Sequence, residues 1–311
     1  MNRYKIIFMG TPDFAVPALE ALAGVHDIPL VVTQPDRPRG RGRKPSPPPV
    51  KEKALELGLE LFQPRTMKDD NIPEILAALE PDFFVVAAFG HKLSPRLLDI
   101  PSIYPVNIHA SLLPAYRGSS PIQAAIMNGD PESGVTTMIM DTKLDAGHIL
   151  LKSATPLARD ETAKTLHDRL SIMGADLVLR TLEAFSNNTV TPRPQDETMV
   201  SYAPMLKKED GRIDWCLEPE HIWARVRAMT PWPGTFTFID GRRINVLEVR
   251  PMDIESGEPP GTIFNCTCDE IHVAAGSRSL AILKLQGASG KCLCSQEYLR
   301  GNRLDTGECF L

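Results

Sequence analysis

No stretch of this chain approaches the about eighteen uninterrupted apolar residues that a membrane-spanning helix needs. A secretory leader is not expected either: after Met1-Asn2-Arg3-Tyr4-Lys5 only four apolar residues, Ile6 to Met9, precede Gly10-Thr11-Pro12. Cysteine is missing from the first two-thirds. The six cysteines, Cys216, Cys266, Cys268, Cys292, Cys294 and Cys309, fall in the last third, and a chain with room for large cores has no need of staples, so reduced thiols and a cytoplasmic location are expected. An excess of positive charge is absent too. The formal net charge of −5 argues against indiscriminate nucleic-acid binding over the whole surface. Gly10-Thr11-Pro12-Asp13 lacks the second and third glycines of a dinucleotide fingerprint, so no nucleotide cofactor is indicated. Internal repeats and long low-complexity tracts are also missing.

What is present describes an ordinary folded protein. Hydrophobic residues make up 42% and charged residues 23%, near the averages for globular domains. At 311 residues the chain exceeds the size at which one core stops growing, so two domains are expected. Proline is over-represented, with 28 residues against a usual share of about 5%, and shapes loops. Local charge departs from the average in one place. Asp36-Arg37-Pro38-Arg39-Gly40-Arg41-Gly42-Arg43-Lys44 sets five cations against one acid, and there any polyanion contact would concentrate.

Short apolar runs rich in β-formers predict strands at Tyr4 to Met9, Leu30 to Thr33, near Leu61, and at Asp82 to Ala88, Tyr104 to His109 and Val135 to Met140. Helical periodicity falls between them, at Val16 to Ala23, Val50 to Leu57, Ile72 to Leu79 and Pro121 to Met127, and Ala163 to Phe185 follows as a long amphipathic helix. This alternation implies an α/β fold with a doubly wound, mostly parallel sheet. Gln34 to Pro49 supports neither strand nor helix and is expected as an exposed, functional loop. Past Asn187-Asn188 the composition changes, and we expect a first domain over 1–189, a linker over 190–208 and a second domain over 209–311. In that second domain one helix, Glu220 to Ala228, precedes strands at Thr235 to Ile239, Arg243 to Val249, Gly261 to Asn265, Ile271 to Ala274 and Ala281 to Leu285, a smaller β-barrel domain of OB-like type.

The chemistry concentrates in Asn107-Ile108-His109-Ala110-Ser111-Leu112-Leu113-Pro114-Ala115-Tyr116-Arg117-Gly118. Side chains two apart on a strand share a face, so Asn107 and His109 project together at a strand end, where ligands of open α/β sheets collect. An amide donor beside an imidazole suits a reaction with a developing oxyanion and a moving proton. Asp145, in the turn Leu144-Asp145-Ala146-Gly147, could orient His109, stabilise its charged form or hold a water. Alone, each element has a plainer reading: a histidine near a strand end is more often structural, and an aspartate before Ala-Gly is more often a turn residue.

Together these residues resemble the formyltetrahydrofolate-dependent formyltransferases. Asn107, His109 and Asp145 fall on the family's catalytic Asn-x-His…Asp pattern, and Ser111-Leu112-Leu113-Pro114 followed by Tyr116-Arg117-Gly118 matches the signature at its folate site. Gly10-Thr11-Pro12-Asp13-Phe14-Ala15, Gln34-Pro35-Asp36-Arg37-Pro38 and Trp232-Pro233 look like the tRNA-modifying branch, over essentially the whole chain. The resemblance implies 10-formyltetrahydrofolate as co-substrate, initiator methionyl-tRNA as partner, and no metal or membrane. It also implies a pterin pocket at Ala88, Phe89 and Gly90, and substrate contacts from Phe14 and from the basic loop through Arg37, Arg39, Arg41, Arg43 and Lys44. His91-Lys92 departs from relatives that are apolar there. A monomer is expected.

Two other readings share parts of this pattern. A formyltransferase acting on a small amine would keep Asn107, His109 and Asp145 but need neither the arginine loop nor a second domain. A catalytically silent RNA-binding protein would tolerate loss of His109. Cys266-x-Cys268 and Cys292-x-Cys294 could suggest zinc, but structural sites favour two to four intervening residues, and packing is the better account. Trp215, Trp223 and Trp232 are expected chiefly in the small core.

Overall fold

A computed structural model describes residues 2–39, 44–266, 269–287 and 290–311. The chain forms two compact units: Met1–Pro121 with Glu132–Pro156 and His167–Pro204, and Ile122–Pro131 with Leu157–Leu166 and Met205–Leu311. No helix among the described residues is long and apolar enough to cross a membrane.

In chain order up to the long helix, the strands are β1 (Lys5–Gly10), β2 (Asp27–Val32), β3 (Arg37–Arg39), β4 (Lys44–Ser46), β5 (Leu61–Phe62), β6 (Phe83–Ala87), β7 (Tyr104–His109), β8 (Arg117–Gly118), β9 (Glu132–Ile139) and β10 (Ile149–Pro156). The helices are α1 (Val16–Ala23), α2 (Pro49–Glu56), α3 (Ile72–Ala77), α4 (Pro95–Leu98), α5 (Pro121–Met127) and α6 (Ala163–Ser186). Seven strands make one sheet in the order β10-β9-β7-β6-β1-β2-β5. β7, β6, β1, β2 and β5 run parallel, whereas β9 lies antiparallel to β7 and β10 antiparallel to β9.

Alternation along the central strands dresses both faces. Ile7, Met9, Phe84 and Val86 pack with Ile72 and Leu76 of α3 and with Leu97 and Leu98 of α4. On the other face Phe83 meets Tyr4 edge-on at 4.9 Å and Phe185 of α6 at 5.3 Å. There α6 comes so close that a Cβ on Gly174 would lie 2.9 Å from Ile108 Cγ2. Strands buried on both faces read as continuous apolar runs, which is why the expected strands are found.

Two of the differences from expectation have a plain physical cause. The basic loop is not wholly irregular: β3 and β4 pair antiparallel as a short hairpin. Prolines at 38 and 45 are tolerated because no other strand among the described residues pairs with this ribbon. β10 was not anticipated, since an edge strand that exposes Lys152, Ala154 and Pro156 carries little apolar signal.

After β11 (Tyr202–Ala203), which pairs with β8, the second unit holds α7 (Pro219–Met229), β12 (Thr235–Ile239), β13 (Arg242–Met252), β14 (Ile263–Cys266), β15 (Ile271–Ala275), β16 (Arg278–Gln286), β17 (Cys292–Cys294) and α8 (Ser295–Leu299). Its sheet runs β12-β13-β16-β15-β14, with β17 on β16, all antiparallel. The chain's last residues join the two free edges. Ile263 N donates to Glu308 O and Phe310 N to Gly261 O, while Phe238 and Leu311 exchange both backbone bonds. The sheet is thereby closed into a barrel, and its edges are no longer open to pairing. Ile222, Val226 and Met229 of α7 are buried at helical spacing. Trp215 is a core residue, stacked on Phe310 at 5.6 Å and donating from Nε1 to Thr237 Oγ1 at 3.0 Å. Trp232 is not, at 50% exposure; it lies between two prolines in a turn that cannot bury it.

Candidate functional site

Because β1, β2, β6 and β7 are parallel, the segments that follow them leave from one edge of the sheet, the position where α/β folds bind ligands. Asn107 and His109 are the last but two and the last residues of β7. The Asn107 carboxamide is half-buried and has no hydrogen-bond partner among the described residues. His109 is buried, with Nε2 2.9 Å from the Tyr116 carbonyl. A carbonyl only accepts, so Nε2 carries a proton. Nδ1 is then the nitrogen left for chemistry, and it faces Asp145 Oδ2 at 3.8 Å.

Asp145 does not come from a parallel strand end. The turn after the antiparallel strand β9 carries it back to His109, and its Oδ2 accepts from the Gly118 N–H at 2.9 Å. Gly147 allows this turn, because any side chain there would collide with the Ile139 carbonyl. Asp145 has φ +47°, and Ala88 (+45°) and Tyr116 (+62°) are left-handed as well. These make up half of the six non-glycine left-handed residues among those described. Such conformations cost about 1–3 kcal/mol each and gather where function demands them.

The Ser111–Pro114 stretch spends its polar groups on itself. Ser111 Oγ donates to Ala115 O at 2.6 Å, and Thr136 Oγ1 donates to Ser111 O at 2.7 Å while accepting from Leu113 N at 3.2 Å. Ser111 and Leu113 are buried. Leu112 and Pro114, both half-buried, line a cavity of ≈ 680 Å³ with the buried Leu113 and with Ile149, Lys152, Arg193 and Gln195.

Ala88 and Gly90 are exposed just past β6, both left-handed, and flank a buried Phe89. The Phe89 carbonyl accepts from Thr11 Oγ1 at 3.0 Å and Gln34 Nε2 at 2.9 Å, which ties together the ends of β1, β2 and β6. His91 meets the Phe89 ring edge-on at 5.2 Å, and its Nε2 is buried without a partner among the described residues. Burial, and then the nearby Arg37 charge, push its pKa below the ordinary histidine value.

Phe14 is a buried ring against His167 at 5.5 Å, not an exposed contact. Arg37 is exposed on the hairpin, beside Asp36, which is paired with Lys51 at 2.8 Å. Arg39 and Lys44 belong to the hairpin strands, and Arg41 and Arg43 lie outside the described residues. So does Cys268, and among the described residues no three His, Cys, Asp or Glu side chains are grouped to hold a metal.

Two residues around Asp145 received no role of their own from the sequence, although Arg117 fell within the folate-site signature. Arg117, 3% exposed, donates from Nε and Nη2 to Gln195 Oε1 at 3.1 and 2.9 Å and pairs with Glu197 at 2.9 Å. The hydrogen bond to Glu197 comes first among the causes that raise the Arg117 pKa, so the guanidinium stays charged. Gln195 in turn donates to the carbonyls of Asp145 and Gly147, both at 2.8 Å. A buried arginine inside a motif was the available signal; Gln195, in a proline-flanked linker, offered none.

A family model described as formyl transferase matches residues 4–182, and one described as formyl transferase, C-terminal domain, matches 205–303. The methionyl-tRNA formyltransferase of Geobacter metallireducens is 47% identical over 308 residues, covering 99% of this chain and 98% of that one. That of Citrifermentans bemidjiense is 44% identical over 308 residues, covering 99% and 96%. Among solved structures, the N-formyltransferase from Helicobacter canadensis in complex with folinic acid and dTDP-3-aminofucose has a TM-score of 0.65 at 18% identity, over 90% of this chain and 99% of that one. HypX from Aquifex aeolicus in complex with tetrahydrofolic acid scores 0.61 at 16% identity, over 98% of this chain and 51% of that one. Identities that low speak to the fold, while the first two relatives are alike from end to end. With both family models matched in order along its length, this chain belongs to the formyl transferase family.

Proposed function

We infer that this protein transfers the formyl group of 10-formyltetrahydrofolate to the α-amino group of methionine on initiator methionyl-tRNA. The observation that carries the acceptor is the extent of the similarity: it runs through both domains of enzymes named for methionyl-tRNA, at 44 and 47% identity.

The chemistry follows from the three side chains. The neutral amine adds to the formyl carbon, a C–N bond forms, and the carbonyl electron pair moves to oxygen. The Asn107 carboxamide, which bonds to no described residue, donates to that oxyanion. His109 Nδ1 takes the proton released by the amine, and the Asp145 carboxylate at 3.8 Å stabilises the resulting imidazolium. As an acid, Nδ1–H then supports the oxyanion and passes its proton to the folate N10 as the C–N10 bond breaks. Each oxyanion donor is worth about 3 kcal/mol and proton transfer about 10²–10⁴ in rate.

For the co-substrate, Ala88 and Gly90 offer exposed left-handed backbone suited to the edge of a flat heterocycle, and Leu112 and Pro114 offer apolar surface. Arg37, Arg39, Arg41, Arg43 and Lys44 serve the phosphates of the tRNA acceptor end, where cations gain from counterion release. We take residues 1–189 as catalytic, 190–208 as linker and 209–311 as a tRNA-binding domain, in a cytosolic monomer.

Incubation with 10-formyltetrahydrofolate and charged initiator tRNA, with charged elongator tRNA as control, tests the assignment. Formylmethionine should appear on the initiator alone; formylation of neither by folded protein defeats the reading.

A further inference from the structure

The catalytic reading leaves Gln195 without a role, yet its carboxamide is fully engaged. Its oxygen takes two N–H groups of Arg117, and its nitrogen gives its two protons to the carbonyls of Asp145 and Gly147. Arginine only donates and carbonyls only accept, so one orientation of the amide satisfies all four bonds. The bonds to Asp145 and Gly147 bracket the turn that holds Asp145 at φ +47°.

The segment around Gln195 reaches the other supports of the site as well. Ser201 Oγ accepts from Tyr116 N at 2.9 Å, and Tyr116 supplies the carbonyl that fixes His109. Ser201 O accepts from Arg117 N at 2.9 Å. Ala203 pairs with Gly118, whose N–H holds the Asp145 carboxylate. The side-chain hydrogen bonds of His109, Asp145 and Gln195 around this turn therefore end on the segment or on residues that the segment holds.

Resting on the catalytic reading above, we propose that Gln195, seated on Arg117, is a positioning residue that sets the Asp145 carboxylate against His109 Nδ1. Without its two donors the strained turn is free to relax, and the carboxylate leaves the place where it stabilises the imidazolium. Misplacement of a catalytic group by about 1 Å costs about a hundredfold in rate.

The test is a double-mutant cycle on the full chain. Gln195→Met removes all four bonds at similar volume. Gln195→Glu keeps the acceptor for Arg117 and removes only the donors to the turn, so it reads the same role if the methionine variant fails to fold. Either change should lower kcat about ten- to hundredfold, leave KM for folate and tRNA within about threefold, and shift the pH profile of kcat. Combined with Asp145→Asn, it should cost less than about threefold more, because the group it positions is already gone. Unchanged kcat, or an equal loss in both backgrounds, overturns the proposal. Full activity of Asp145→Asn alone would instead overturn the catalytic reading, and the two failures are told apart by that single variant.

Discussion

Asn107→Ala separates catalysis from folding more sharply than any other change at this site. The carboxamide is half-buried and bonds to no described residue, so its removal strands no buried partner and creates little cavity. A surface-like cost within about 0.5–1 kcal/mol follows, which for a domain of this size moves Tm by less than about 4 °C. The backbone of β7, paired with Val86 on one side and Met138 on the other, is untouched. Activity should behave very differently. Loss of one oxyanion donor costs about 3 kcal/mol, or about 10²–10³ in kcat, and because the donor meets developing charge, KM should hardly change. Single-turnover formylation of charged initiator tRNA measures the first effect and calorimetry the second. Turnover within threefold of the parent would refute the donor role. A Tm fall of about 10 °C with proportionate loss of activity would make Asn107 a structural residue.

Gly147→Ala should lower activity at least about tenfold in the same assay, since a methyl at this position collides with the Ile139 carbonyl and displaces the turn carrying Asp145. Phe310→Ala should destabilise the second unit by about 3–5 kcal/mol, the usual cost for a fully buried phenylalanine, visible as earlier urea unfolding followed by tryptophan fluorescence. His26 is buried, accepts from Tyr4 N through Nδ1 at 3.3 Å, and has a pKa lowered by burial and then by Arg3. The unfolded chain therefore binds more protons below the ordinary histidine value near 6.5, and stability should fall as pH drops from there toward the lower folded value. His26→Gln, which keeps an acceptor and does not titrate, should flatten that part of a Tm–pH curve.

Legibility in the sequence followed burial. Tyr104–His109, Thr235–Ile239 and Val16–Ala23 are found with the bounds that apolar pattern and glycine or proline punctuation suggest. The hairpin of Arg37–Arg39 with Lys44–Ser46 was hidden because its residues pair without burying a core, and β10 because it sits at an edge. At the site, Asn107 and His109 were legible from strand alternation. Asp145 was legible only through resemblance, since its return to His109 is set by a left-handed turn that an aspartate does not advertise. Gln195 was illegible for a physical reason. A carboxamide whose four bonds all go to groups 48 to 78 residues distant has no local signature.

The account turns on His109 Nδ1 facing a carboxylate beside the one-carbon unit. Its most direct measurement is the pH dependence of single-turnover formyl transfer by the parent chain and by His109→Ala, each with saturating 10-formyltetrahydrofolate and charged initiator tRNA. A loss of about 10²–10⁴ in rate across the pH range, with the fold intact by circular dichroism, is the predicted result. A His109→Ala protein as fast as the parent across the same pH range would contradict it.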